Sequence, residues 1–86
     1  MSAVKLEIVT PKESFYKGQV QMLAVDTTSG SEGYMSRRQW CLKLLADPGK
    51  LKIVEENGTE KFAVIHGGFV EIRDDFMIYT EKAEWK

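Results

Sequence analysis

The sequence predicts an all-β domain, a sandwich or barrel of short strands, and three observations carry that prediction. Val4-Lys5-Leu6-Glu7-Ile8-Val9 alternates apolar and polar residues with a period of two, which puts Val4, Leu6 and Ile8 on one face of a pleated strand. Asn57-Gly58 stands between two further strand-like runs and is the dipeptide that best tolerates the positive φ of a tight hairpin. Turn signals recur along the chain at the short spacing of sandwiches and barrels. The 86 residues, 43% of them apolar and 29% charged, are enough for one modest core and too few for two, so residues 1–86 are expected to form a single domain.

The first strand ends at Thr10, because Pro11 cannot donate to a ladder and holds its predecessor extended. After a turn at Pro11 to Glu13, Phe15-Tyr16 reads as a short second strand closed by Gly18, and Val20 to Val25 as a third, more apolar one. Asp26 to Gly33 is rich in residues that favour turns through local hydrogen bonds or positive φ, and reads as the longest loop. Trp40 to Ala46 reads as a strand, Asp47-Pro48-Gly49 as a turn, and Lys50 to Glu55 as a renewed alternation that the Asn57-Gly58 hairpin joins to Thr59 to Ile65. Gly67-Gly68 marks a bulge or a close backbone approach before Phe69 to Ile72, and Asp74-Asp75 turns into Phe76 to Thr80. Residues 81–86 change towards helix formers but are too few to hold a helix, and read as a tail or the stub of a further element. Leu6, Ile8, Val20, Met22, Leu51, Ile53, Phe62, Val64, Phe69 and Ile78 are the expected core.

Charge and composition narrow the function classes. Twelve basic against thirteen acidic residues create no uniform field, so neither nucleic acid nor an anionic membrane is an expected partner. Cys41 is the only cysteine, and the first twenty residues carry Lys5, Glu7, Lys12 and Glu13 where a signal peptide needs an apolar stretch; both point to the cytosol. No apolar run approaches the roughly 20 residues of a membrane span, so direct membrane insertion is not expected. No nucleophile with a base, carboxylate pair, metal-ligand cluster or phosphate loop has useful spacing, so no catalytic, cofactor or metal residues are assigned. His66 reads as a strand-end histidine and Asp74-Asp75 as a solvated turn. Arg37-Arg38 beside Trp40 admits two readings, a basic loop with Trp40 anchored in the core or a free-standing binding module that holds an anionic ligand.

The order of this punctuation resembles a known family. Val9-Thr10-Pro11, then Tyr16, Gly18 and Val20, then Ser29-Gly30-Ser31-Glu32-Gly33 is similar to the opening of the epsilon subunit of F-type ATP synthases. Pro48-Gly49 with Leu51 and Ile53, and Phe62-Ala63-Val64 followed by Gly67-Gly68-Phe69-Val70-Glu71-Ile72, resembles its second half. The resemblance runs from about Val4 to Ala83 and implies a two-sheet β-sandwich of short antiparallel strands, without the helical hairpin that usually follows it. It further implies a non-catalytic rotor-stalk subunit on the cytoplasmic face of the membrane, with the gamma subunit and the c ring as partners. The sequence departs from the family after Gly33, where Tyr34-Met35-Ser36-Arg37-Arg38-Gln39-Trp40 replaces a Gly-Leu-Pro-Gly-His-Ala-Pro-like segment. The resemblance places this loop towards the c ring, with Glu32, Arg37 and Arg38 as charged contacts and Tyr34 or Met35 as the apolar centre.

Overall fold

A single 14-residue strand organises the fold. The computed structural model describes residues 3–35 and 40–86, and every element among them is a strand. They are β1 (Val4–Val9), β2 (Ser14–Thr27), β3 (Gly30–Met35), β4 (Cys41–Leu44), β5 (Gly49–Glu55), β6 (Glu60–Ile65), β7 (Phe69–Ile72), β8 (Phe76–Tyr79) and β9 (Ala83–Trp85). Hydrogen bonds link the strands in the order β4-β7-β8-β1-β2-β5-β6-β9, with β3 on β2. The first part of β2 pairs with β1 and closes one layer, β4-β7-β8-β1-β2. Its last part lies between β3 and β5 in a second layer, β3-β2-β5-β6-β9. The sandwich is therefore built from one continuous ladder in which β2 passes between layers.

The short second and third strands expected around Gly18 are thus one element. The change of layer falls where the pairing slips between Val20 and Met22: Val20 stands opposite Glu55 and Met22 opposite Val54, leaving Gln21 as the extra residue. An extra residue reverses the facing of everything after it. Val20 is buried, but beyond the bulge Leu23, Val25 and Thr27 point inward and Met22 does not. The polar stretch read as a long loop is the hairpin of β2 and β3. Its turn is held by Thr27, whose hydroxyl donates to the Gly30 carbonyl at 2.8 Å and accepts from the Ser29 N–H at 3.1 Å, so this buried polar side chain is satisfied.

At Asn57-Gly58 the hairpin is present with a longer loop than expected. The Gly58 N–H donates to the Glu55 carbonyl and the Glu55 N–H to the Thr59 carbonyl, so Glu56 and Asn57 are the central turn residues and Gly58, at φ +91°, follows them. That is the three-residue pattern of a turn and a glycine bulge. Strands β1 and β8 run parallel, against the expected antiparallel arrangement; the remaining strand pairs are antiparallel. Residues 81–86 are not a loose tail, since β9 pairs with β6 and the Lys86 N–H donates to the Phe62 carbonyl.

Buried side chains from both layers form one core, including Leu6 and Ile8 from β1, Leu23 and Val25 from β2, Leu51 and Ile53 from β5, and Phe76 and Ile78 from β8. Four expected core residues lie elsewhere. In β6 the buried pair is Ala63 and Ile65, which turns Phe62 outward at 46% exposure and leaves Val64 partly exposed. In β7 Val70 and Ile72 are buried and Phe69 faces out, and Met22 is displaced by the bulge. Gly67 and Gly68 do hold the expected close approach, with φ of +70° and +97°. Gly68 lies against the backbone of Tyr79 and Thr80, and flanking N–H groups bind the β4–β5 connection: Leu45 donates to Gly68 and Gly67 to Ala46.

Candidate partner interface

The segment expected to meet a partner divides into a described part and an undescribed one. Glu32 and Tyr34 sit two apart on β3 and face β4. Tyr34 is only 5% exposed and packs edge-on against Phe76, with ring centres 6.4 Å apart. Its hydroxyl donates to Glu32 Oε1 at 2.8 Å, and Lys43 Nζ lies 3.6 Å from Glu32 Oε2. Burial, and then the bond to Glu32, push the Tyr34 phenol well above the ordinary tyrosine value, while the Tyr34 hydroxyl and then Lys43 hold the Glu32 carboxyl below its usual range. The pair therefore fastens β3 to the core and β4. Tyr34 fills the chain's own interior, so it is not an exposed apolar anchor. The backbone of Met35 pairs with Met22, and Arg37 and Arg38 lie outside the described residues. Trp40 is not anchored in the core: it is 66% exposed, with the Arg73 guanidinium 5.6 Å from its ring centre.

A second surface combines residues far apart in sequence. On the outer face of the β4-β7-β8-β1 layer, the register aligns Leu44, Phe69, Tyr79 and Val9 in one row, and Leu42, Glu71, Met77 and Glu7 in the next. Leu44 is 60% and Leu42 56% exposed. Phe69 and Tyr79 stack with ring centres 4.8 Å apart. Beside them a groove of about 380 Å³ is lined by Val9, Pro11, Phe69, Tyr79 and Glu81. An apolar row on a solvent-facing sheet is the usual mark of a surface that another protein covers. Part of it was legible: a period of two in Cys41-Leu42-Lys43-Leu44-Leu45 leaves either Leu42 and Leu44 or Cys41, Lys43 and Leu45 outside. Nothing local signals that Val9, Phe69 and Tyr79 join them.

His66 has no part in this face. Its Nδ1 lies 3.1 Å from Asp47 Oδ1, and its N–H donates to the Lys82 carbonyl and to Thr80 Oγ1, which ties the β6–β7 connection to its neighbours.

Residues 3–86 match the family described as the ATP synthase, delta/epsilon chain, β-sandwich domain. Among curated relatives, the ATP synthase epsilon chain of Alkaliphilus metalliredigens is 40% identical over 89 residues, covering 98% of this chain and 62% of its own. That of Caldanaerobacter subterraneus subsp. tengcongensis is 38% identical over 81 residues, 93% of this chain and 58% of its own. That of Staphylococcus haemolyticus is 46% identical over 74 residues, 85% of this chain and 54% of its own. The chain thus spans somewhat over half the length of these relatives. In fold it is similar to a chain of the Euglena gracilis mitochondrial ATP synthase structure containing OSCP, F1 and the c-ring, with a TM-score of 0.91 at 23% identity over 99% of this chain and 54% of that one. A chain of the Tetrahymena thermophila mitochondrial ATP synthase central stalk and c-ring gives a TM-score of 0.75 at 20% identity, over 94% of this chain and 65% of that one.

Proposed function

The chain belongs to the family of ATP synthase delta/epsilon chain β-sandwich domains, and from that membership we propose that it is a non-catalytic subunit of the central stalk of an F-type ATP synthase. Its partners in this reading are the gamma subunit and the c ring, with which it turns during ATP synthesis. The observation that carries the reading, beyond membership, is the apolar row of Leu44, Phe69, Tyr79 and Val9, which a chain acting alone would gain nothing by exposing. The hairpin end supplies a second contact: Glu32 there, with Met35, Arg37 and Arg38 beside it in sequence, faces the c ring, and Tyr34 supports Glu32 from below. No helix among the described residues is long and apolar enough to cross a membrane. Attachment to the cytoplasmic face of the membrane then comes through the other subunits.

Native mass spectrometry of the chain mixed with gamma subunit and c ring tests this directly. A stoichiometric complex is expected. If a full-length relative associates under conditions where this chain does not, the reading fails.

A further inference from the structure

The groove beside the apolar row is walled by charge of one sign, and this says what kind of residue it receives. Its floor is Val9, Phe69 and Tyr79. On β1, Glu7 stands two residues before Val9 and therefore on the same outer face; on the other side of the row, Glu81 lines the groove two residues beyond Tyr79. The local cations do not neutralise this pair. Arg73 is bonded to Glu71 at 2.7 Å, and Lys82 lies 2.9 Å from Glu84. Lys17 is opposite Glu7 in the register, yet the described ion pairs do not join them, and Glu7 instead accepts a hydrogen bond from the Ser14 hydroxyl at 3.0 Å. A neutral donor leaves the carboxylate charge in place.

Resting on the stalk reading above, we infer that this groove receives an apolar anchor side chain of the gamma subunit with a Lys or Arg on either side of it. Tyr79 and Phe69 supply a preformed aromatic floor, and their mutual stacking restricts the freedom they would otherwise lose on binding. Glu7 and Glu81 select a basic flank and repel an acidic one. Met77, aligned with Glu7, precedes Glu81 by four residues, so the two carboxylates are separated along the strands by no more than about 13 Å. A helix covers that distance in about nine residues, so the two cations and the anchor between them fit one short helical segment.

The test uses the chain with gamma subunit in surface plasmon resonance at low and high salt. Glu7→Lys with Glu81→Lys is expected to slow association on the order of tenfold at low salt, with the difference shrinking as salt screens it. Tyr79→Ala is expected to speed dissociation on the order of tenfold at every salt concentration. Circular dichroism melts confirm that the variants are folded, and an exposed Leu42→Ser substitution outside the groove, which should change neither rate by more than about twofold, is the control. Should wild type bind gamma while the charge reversal and Tyr79→Ala leave both rates unchanged, the groove is not the site, although the stalk role stands. Should wild type itself not bind, the inference falls together with the role on which it rests.

Discussion

Gly68 shows how one residue can hold two layers in register. Its φ of +97° is costly for any side chain, and a Cβ there would collide with the Tyr79 carbonyl oxygen and crowd Thr80. Both obstacles are backbone, which cannot swing aside as a side chain can. Gly67, at φ +70°, has only the Asp47 side chain nearby, with 3.7 Å of clearance. Gly68→Ala is therefore expected to cost on the order of 3 kcal/mol or more and Gly67→Ala about 1–2 kcal/mol, read as shifts in urea midpoint. Equal midpoints for the two would show that the close approach is not limiting. Glu32 offers a second residue-scale test. Its folded pKa is depressed, chiefly by the Tyr34 hydroxyl, so the fold binds this proton less readily than the unfolded chain does. The stabilisation is complete above the unfolded value of 4.5 and is lost as pH falls through the lower folded value. Asp26, held down by the Ser31 hydroxyl, acts in the same direction. Melting temperature is expected to fall below about pH 4, and Glu32→Gln should flatten part of that acid limb. An unchanged acid limb in the variant would show that the Tyr34–Glu32 bond does not couple to folding.

At the scale of elements, the bulge at Gln21 decides which half of β2 faces the core. Deleting Gln21 would restore simple alternation and turn Leu23, Val25 and Thr27 outward, while the 22 and 24 positions turned in. Three buried side chains would be exchanged for smaller or flexible ones, and the turn bonds of Thr27 would be lost. The deletion is expected to abolish a cooperative melt, and a variant melting within a few degrees of wild type would show that the slip is incidental. The same element explains what was legible in the sequence and what was not. Val4 to Val9 reads correctly because its alternation is uninterrupted and polar residues mark one face. In β2 the slip is invisible, since Gln21 looks like an ordinary polar member of an alternating run. In β6 both phases, Phe62 with Val64 and Ala63 with Ile65, are apolar, and size misleads: the larger aromatic is outside because β9 and the core accommodate the smaller pair. In β3 the residues Gly-Ser-Glu-Gly favour turns locally, and pairing with β2 overrides that preference. The interface was legible only at the hairpin end, as Glu32. Its apolar row needs three strand pairings, β4 with β7, β7 with β8 and β8 with β1, before it exists at all.

For the whole molecule, the shared strand has a consequence for how the chain comes apart. Neither layer has a core of its own: Ile72, Phe76 and Ile78 from one and Leu51, Ile53 and Ile65 from the other belong to the same buried cluster. Separating the layers would expose an apolar face on each and would break β2 at its bulge. The connections that lock the far side, Leu45 to Gly68, Gly67 to Ala46 and His66 to Lys82, also join segments from different parts of the chain. A domain of this size has a total stability of about 5–10 kcal/mol, so no partial structure retains enough burial to persist. Residues 1–86 should therefore unfold as one unit. Phe76→Ala provides the test, because Phe76 is almost fully buried, lies on β8 in one layer and touches Tyr34 of the other. Truncating a buried Phe costs about 3–5 kcal/mol. Amide hydrogen exchange is expected to show the slowest amides of β1 and β8 and those of β5 and β6 losing the same free energy of protection in the variant. If β5 and β6 kept wild-type protection while β8 exchanged freely, the layers would be separable units and β2 a linker between them rather than a shared strand.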